Sequence, residues 1–493
     1  MLYQSTRSSI RTSDTAAVLQ GIAPDGGLYI DPNLKDRPFD WRGCLTLEPL
    51  EMAERILAHL LPGFADMGGL VRRAYSGKFD SDMLTPLVPV GEDYVLELFH
   101  GPTSAFKDVA LSMLPQLITA GRRQEGVEDQ IVILTATSGD TGKAALEGFR
   151  DVEGTSIIVF YPADGVSPVQ RAQMVTQEGK NVRVCAVRGN FDDCQKGVKE
   201  AFAAINAGDF LKGRKLRLSS ANSINIGRLA PQVTYYFIAY AELLRQGRIS
   251  LGDAVDFVVP TGNFGDILAA YFAKLMGLPV GRLVCASNAN RVLTDFLTTG
   301  VYDRRREFLK TSSPSMDILV SSNLERLLYL CSGGDTALVS SCMEALSRDG
   351  VYRIDGKTLE NIRALFSAGS CGEAGTRRTI GRVWNELGYL CDPHTAVAFS
   401  VAEEYKQNRV SNAPVVILST ASPYKFPGVV LEAIGGELQG DEFEQMARLE
   451  ALSGVPVPKG LAGLREKEEL HKDLIDAASL LSYVQDRLKE MEG

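Results

Sequence analysis

The chain has 493 residues, 45% hydrophobic and 23% charged, with 52 basic and 61 acidic side chains and a net charge of −9. That length predicts about three domains, and the acidic balance argues against a nucleic-acid binder, which is more often basic. No run of 18 apolar residues predicts a membrane span, and the start Met1-Leu2-Tyr3-Gln4 lacks a signal-peptide pattern, so a cytoplasmic protein is expected.

Residues 1–90 read as an N-terminal domain. Helical patterns run from Pro49 to Leu61 and from Gly69 to Ala74, and Tyr29-Ile30 reads as a short strand. Ser5-Thr6-Arg7 is given a structural role. An apolar run, Tyr94-Val95-Leu96, then leads into Glu97-Leu98-Phe99-His100-Gly101-Pro102-Thr103-Ser104-Ala105-Phe106-Lys107-Asp108. Gly101-Pro102 marks a turn, and a helical pattern follows from Val109 to Ala120. Lys107 therefore falls at or near a helix start. An ammonium there meets the positive end of the helix dipole, which eases loss of its proton. The place suits a lysine that must act as a neutral amine. His100, close by in sequence, reads as structural.

Residues 108–228 alternate helix and strand. Strands are predicted at Ile131–Thr135, Ser156–Tyr161, Val182–Val187 and Leu216–Ser219, with helices at Gly142–Arg150, Ser167–Glu178 and Asp192–Ala207. This pattern predicts a parallel sheet covered on both faces, as a small α/β domain. Its loop Thr135-Ala136-Thr137-Ser138-Gly139-Asp140-Thr141-Gly142-Lys143 resembles a phosphate-binding P-loop. That motif needs Gly where Thr137 stands and Ser or Thr where Ala144 stands, so a nucleotide site is rejected. Hydroxyls and free N–H groups in such a loop can instead hold a carboxylate.

A larger α/β domain is predicted from residues 91–107 and 229–430. It carries a helix at Pro231–Arg245, strands at Asp256–Val259, Arg282–Ala286 and Val415–Ser419, and a helix from Asp266 to Met276. Between strand and helix lies Thr261-Gly262-Asn263-Phe264-Gly265-Asp266, a glycine turn whose N–H groups can cradle a phosphate. Its glycines are expected to permit close approach or a positive φ. Residues 300–375 read as an excursion, with Arg304–Arg306 on a solvated helix face and a helix from Asn323 to Leu330. Residues 431–493 read as a peripheral, charged, helical segment. The loops at Thr137, Gly262 and Thr420 all follow apolar strands, so they share the carboxyl ends where open parallel sheets bind ligands. The eight cysteines show no CxxC pairing and predict buried free thiols in a reducing compartment. The four histidines are too scattered for zinc, so no metal is expected.

The segments HGPTSAFKD, TSGDTG and GNFGD, in that order, resemble the threonine synthases. These are pyridoxal-phosphate enzymes of fold type II, the tryptophan-synthase-β group. The resemblance continues in Tyr3–Arg7, Ala23–Tyr29, Asn222–Arg228, Leu293–Phe296, Ser313–Asp317 and Ser419–Ala421, covering residues 3 to 430. It implies that Lys107 carries the cofactor as an imine and then moves protons on the substrate. It implies that Gly262, Asn263, Phe264 and Gly265 hold the cofactor phosphate. Asp266 is given a capping role with a backbone contact, and Thr420 faces the pyridine nitrogen. Thr137, Ser138, Asp140 and Thr141 would serve the substrate carboxylate, Asp140 bracing the loop. Asn222, Ser223, Asn225 and Arg228 would serve the substrate phosphate. The implied reaction turns O-phospho-L-homoserine and water into L-threonine and phosphate, in a monomer or homodimer. Two rivals remain: a phospho-lyase of the same fold that releases a keto acid, and a non-catalytic pyridoxal-phosphate-binding protein.

Overall fold

The computed structural model describes residues 2–137, 139–164 and 166–491. The chain opens with β1 (Leu2–Ser5), β2 (Arg11–Ser13) and β3 (Tyr29–Ile30), a small antiparallel sheet with β1 in the middle. The Pro49–Leu60 helix follows, started by a capping box and a proline in its first turn. Met52, Ala53, Ile56, Leu57 and Leu60 recur at helical spacing and are buried, which fixes its inner face.

Two larger sheets carry the rest. The first is built from β4 (Leu87–Val90) and β5 (Asp93–Glu97), before the chain leaves through the Lys107–Gln124 helix. The second takes β6 (Gln130–Ala136), β7 (Thr155–Pro162), β8 (Val182–Arg188) and β9 (Leu216–Ser219). The chain then returns to the first sheet with β10 (Val255–Pro260) and β11 (Val280–Ser287). A separate antiparallel pair, β12 (Val301–Asp303) and β13 (Val351–Arg353), lies in the excursion. Residues 304–306, expected on a helix face, instead lie outside any helix, after β12. β14 (Phe366–Ser370) and β15 (Val415–Ser419) complete the first sheet in the order β14-β11-β10-β15-β5-β4, parallel except for the β4–β5 pair. Its central strand β10 is buried at every residue, as expected of a parallel sheet covered on both faces.

Two departures from the sequence reading have clear causes. β14 falls inside the predicted excursion, where Phe366-Ser367-Ala368-Gly369-Ser370 lacks a β-branched run. It is a strand because small residues fit under Val401, which a Cβ on Gly369 would meet at 2.8 Å. The tail expected to be helical and peripheral carries helices at Glu442–Ser453 and Leu480–Glu490, but it also supplies a strand, β16 (Asp473–Asp476), parallel to β8. The second sheet therefore runs β16-β8-β7-β6-β9. Leu480, Val484 and Leu488 of the Leu480–Glu490 helix pack on its apolar face with Ile158 and Phe160. An edge strand with charged ends is hard to read from sequence, because pairing rather than side-chain pattern makes it a strand.

Three strand ends come together around the turn before Lys107. β6 leads through residues 137–139 into the Asp140–Phe149 helix, and β10 through 261–264 into the Gly265–Leu275 helix. β15 ends at Ser419, and Thr420 accepts the Phe106 amide at 2.8 Å, one residue before Lys107. Among the described residues, no helix is long and apolar enough to cross a membrane. All eight cysteines are buried and unpaired, and burial pushes the thiols of Cys285 and Cys331 up to about 12.

Candidate active site

Lys107 is the first residue of the Lys107–Gln124 helix. The turn before it is held from within: Ser104 is left-handed, with φ 60°, and Asp108 accepts both the amide and the hydroxyl of Thr103. Burial raises the Asp108 carboxyl to about 6, although the Thr103 bonds oppose the shift. Lys107 is only 9% exposed. Its Nζ donates to Ser315 Oγ at 3.1 Å and lies 3.6 Å from Asp140 Oδ2. Burial lowers the Lys107 pKa, Asp140 opposes that, and the charges of Lys425 and Arg228 add to it. The result is an amine that gives up its proton more easily than a surface lysine does.

Asp140 is shared. Its Oδ1 meets Lys425 Nζ at 2.7 Å and Gln170 Nε2 at 3.2 Å, while its Oδ2 accepts from Ser315 Oγ at 3.4 Å. Burial works against its charge, but Lys425 and Lys107 outweigh burial and hold the carboxyl well below its usual range. Ser315 is fixed from behind: its amide donates to Nε2 of His394, whose Nδ1 lies 2.7 Å from Asp392 Oδ1. An amide can only donate, so Nε2 accepts and the ring proton sits on Nδ1.

The turn at 262–265 is lined with free donors. The carbonyls of Gly262 and Asn263 are tied to Ser321 Oγ at 2.8 Å and to the Asn323 amide at 3.0 Å. Among the described residues, the N–H groups of Gly262, Asn263, Phe264 and Gly265 have no acceptor. The Gly265–Leu275 helix starts here without a side-chain cap, which leaves its positive end open. A Cβ on Gly265 would meet only the amide nitrogens of Asn323 and Gln232, both at 3.6 Å. The expectation of a positive φ at the glycines is corrected: the left-handed residue is Phe264, with φ 61°, and neither Gly262 nor Gly265 is left-handed. Gly262 is needed for approach, since a Cβ there would stand 2.6 Å from the Ser315 carbonyl. Asp266 is not the cap residue, which is Phe264; it lies within the first turn and accepts the Ile267 amide at 2.8 Å. Burial raises its carboxyl to about 7, so near neutral pH it carries less charge than an ordinary aspartate.

The other predicted residues divide. Thr137 Oγ1 accepts from the amides of Gly139 at 3.0 Å and Gly142 at 2.9 Å, so it organises its own loop. Ser138 lies outside the described residues. Thr141 is half-buried and its hydroxyl has no partner among the described residues. Thr420 is buried beside the Lys107 turn. Asn225 spends its amide on protein, with Nδ2 on Val18 O and Oδ1 on the Gly227 amide, both at 2.8 Å. Asn222 Oδ1 accepts from Ser223 Oγ at 3.2 Å, and Ser223 also reaches Ser322 Oγ at 3.4 Å.

Arg228 is buried, and its Nη1 donates to Ala221 O at 2.8 Å. Its Nε has no partner, and among the described residues no carboxylate pairs with it. Burial alone lowers its pKa to about 10. A buried guanidinium without a carboxylate partner keeps donor capacity that an anion could take up.

Sequence reasoning placed Ser315 only within a motif, and it missed Lys425 and His394. A lysine inside the apolar run Tyr424-Lys425-Phe426-Pro427 was the available signal for Lys425. His100 pairs with Glu97 at 2.7 Å. Lys143 turns away to Gln177 and Glu147, where a P-loop lysine would face its ligand. Ser5-Thr6-Arg7 proves to be an anchor: Thr6 and Arg7 both grip Glu325, Arg7 through two bonds at 2.9 and 2.8 Å. The neighbouring Arg326 is fully buried and holds Ile224 O at 2.6 Å, so this anchor braces the Asn222–Asn225 segment.

Sequence comparison decides the family. Residues 85–421 match the family described as pyridoxal-phosphate dependent enzyme, and residues 395–480 match the threonine synthase C-terminal family. The chain belongs to the threonine synthase family of pyridoxal-phosphate-dependent enzymes. It is 40% identical to the threonine synthase of Pseudomonas aeruginosa over 95% of this chain and 94% of that one. It is similar to the pyridoxal-phosphate-bound threonine synthase structure from Brucella melitensis, with 38% identity, a TM-score of 0.87, and 100% of this chain and 99% of that one covered. It is 39% identical to threonine synthase-like 1 of Macaca fascicularis over 85% of this chain, but spans only 57% of that relative's length. The fold is accordingly type II, and the family cofactor is pyridoxal phosphate. The orphan N–H groups at 262–265, beside a helix start and facing two amides, fit the phosphate of that cofactor.

Proposed function

We propose that this chain converts O-phospho-L-homoserine and water into L-threonine and phosphate. The observation that carries the reading is Arg228. It is a buried cation with an unpartnered Nε, its charge acts on Lys107, and it comes from a different segment than the 262–265 cradle, to which Gln232 links it through a 2.8 Å bond to the Arg228 carbonyl. A site with one phosphate cradle for the cofactor and a second unpaired cation suits a substrate that carries its own phosphate.

The bound cofactor would supply an electron sink for carbanion chemistry. The chain supplies aim and protons. Gly262, Asn263, Phe264 and Gly265 would hold the cofactor phosphate through their N–H groups. Thr420, at the end of β15, would lie against the pyridine nitrogen. Lys107, as a neutral amine, would take and return protons at the substrate α, β and γ carbons. Its lowered pKa supports that use, because a base must spend time unprotonated at working pH. Arg228, with Asn222 and Ser223, would hold the substrate phosphate until it leaves. Thr141 with the 137–140 loop would hold the carboxylate; Asp140, already ion-paired, braces that loop and does not donate. Asn225 would act only by shaping the segment. Residues 108–228 and 473–491 would form the smaller domain and the β4–β15 sheet the larger.

Product analysis tests the reading. Purified protein supplied with phosphohomoserine should release threonine and phosphate in equal amounts. Release of a keto acid with phosphate would replace the assignment by a phospho-lyase of the same fold.

A further inference from the structure

Lys107 is not the only lysine enclosed at the site. Lys425 follows β15, in the short helical turn Pro423–Lys425, and its side chain has no exposure at all. It has two acceptors: Asp140 Oδ1 at 2.7 Å and the carbonyl of Thr103 at 3.0 Å. The first lies one carboxylate away from Lys107, and the second lies in the turn that launches the Lys107 helix. A wholly buried ammonium is expensive unless paired. An apolar residue could fill the same volume, so the charge itself calls for an account.

The account comes from Asp140. Its single negative charge faces two ammonium groups, Lys425 at 2.7 Å and Lys107 at 3.6 Å. With Lys425 absent, a buried carboxylate would have Lys107 as its main partner and would hold it charged. A charged Lys107 can neither bond to a carbonyl carbon nor accept a proton. With Lys425 present, the carboxylate is already compensated and still accepts Ser315 Oγ, which in turn accepts from Lys107. We propose that Lys425 is a positioning residue: it keeps Asp140 as a pre-formed ion pair, so that the carboxylate orients Lys107 through Ser315 without locking it as an ammonium. This rests on the assignment of Lys107 as the reacting amine.

Other groups facing Lys107 have to be included. Arg228 adds positive charge, Asp266 acts weakly in the opposite sense, and His394 touches the network through Ser315 and Asp140. Asp108 also feels Lys425. Among the described residues, only Asp140 is within ion-pair distance of both lysines.

The test is a charge cycle read by pH. The cofactor-bound protein, without substrate, is titrated by its visible absorbance in wild type, Lys425→Met, Asp140→Asn and the double variant. Lys425→Met should raise the midpoint by about one pH unit or more, and Asp140→Asn should lower it, since an opposite charge this close shifts a titration by about 1–3 units. The double variant should return within about half a unit of wild type, and Lys425→Arg should hold the wild-type midpoint. A role in packing alone predicts no such change of sign. An unshifted or lowered midpoint in Lys425→Met overturns the proposal. Should that variant fold poorly, the sign in Asp140→Asn and the return in the double variant still decide it. Competitive acetylation of Lys107 in the full chain without cofactor reads the same shift by mass spectrometry. It needs no turnover, so it stands apart from any failure of the substrate assignment. If borohydride fixed the cofactor to a different lysine, the parent assignment would fail while the acetylation shift still reported on Lys425.

Discussion

The Ser315 amide donates to Nε2 of His394 at 3.2 Å, across 79 residues of sequence. His394 is buried with Asp392 behind it, so the serine that receives Lys107 is fixed by a ring that is itself fixed. His394→Ala would strand the Ser315 amide and leave the Asp392 carboxylate one bond short. Each buried unmade bond costs roughly 1–3 kcal/mol. The expected loss of stability in urea unfolding is therefore about 2 kcal/mol or more, with a fall in kcat as Ser315 is freed. A variant as stable and active as wild type would show that the contact does no positioning.

Arg228 should behave as an anion receptor. Inorganic phosphate should raise the Tm of wild type, because a ligand bound only to the folded state stabilises it by mass action. Arg228→Met should remove that phosphate response from this segment and lower kcat/KM for phosphohomoserine by at least about tenfold. Its cofactor spectrum should stay unchanged, since the cofactor phosphate is assigned to residues 262–265. Loss of the cofactor in Arg228→Met would mean that the two phosphate assignments must be exchanged.

The two glycines of the cradle should part company. Gly262→Ala places a Cβ 2.6 Å from the Ser315 carbonyl, a backbone atom that cannot swing aside. It should cost about 1–3 kcal/mol of folding stability as well as the cofactor. Gly265→Ala meets only two side-chain amides at 3.6 Å. It should leave the fold within about 0.5 kcal/mol of wild type, as an unhindered substitution does, yet weaken the cofactor, because the methyl occupies the cradle. Equal stability losses in the two variants, or unaltered cofactor affinity in Gly265→Ala, would show that the cradle is drawn in the wrong place.

Asp266 gives a pH dependence with a definite sign. Its carboxyl titrates at about 7 in the folded protein, raised from 3.8 by burial. Between those values the folded state holds a proton that the unfolded state has released. Its contribution therefore favours folding at low pH, is lost progressively as pH rises from about 4, and is fully absent above about 7. The full span is at most about 4 kcal/mol. Relative to wild type without cofactor, Asp266→Asn should gain stability as pH rises from 5 to 8. Parallel curves for the two proteins would exclude a raised carboxyl at this position.

Much of the fold was legible. Apolar runs placed β6, β7, β8, β10 and β15 within a residue or two, because strands buried on both faces need such runs and leave few alternatives. Lys107 was placed at a helix start from one Gly-Pro turn, and the structure begins the helix there. What could not be read is whatever depends on distant chain segments. Lys425, Ser315 and His394 reach Asp140 and Lys107 only through folding, and no local spacing joins them. Asn225 looked like a ligand-binding amide, but Val18, 207 residues away in the sequence, takes its Nδ2. Phe264 carries the left-handed turn because its ring is fully buried, against Phe366 at 5.7 Å, which compensates a conformation that sequence would give to glycine.

The pairing of β16 with β8 has a consequence during synthesis. Arg188 and Asp476, which face each other across that pair, lie 288 residues apart. At about 5–20 residues per second, roughly 15 to 60 s separate the emergence of the two strands from the ribosome. Throughout that interval β8 is a bare edge, and Ile158 and Phe160 lack the cover of Leu480, Val484 and Leu488. Such an edge can recruit a strand from a neighbouring nascent chain. The half-made protein thus has a window in which residues 182–188 present an unpaired edge, and nonsense or frameshift products ending before residue 473 would keep that edge open.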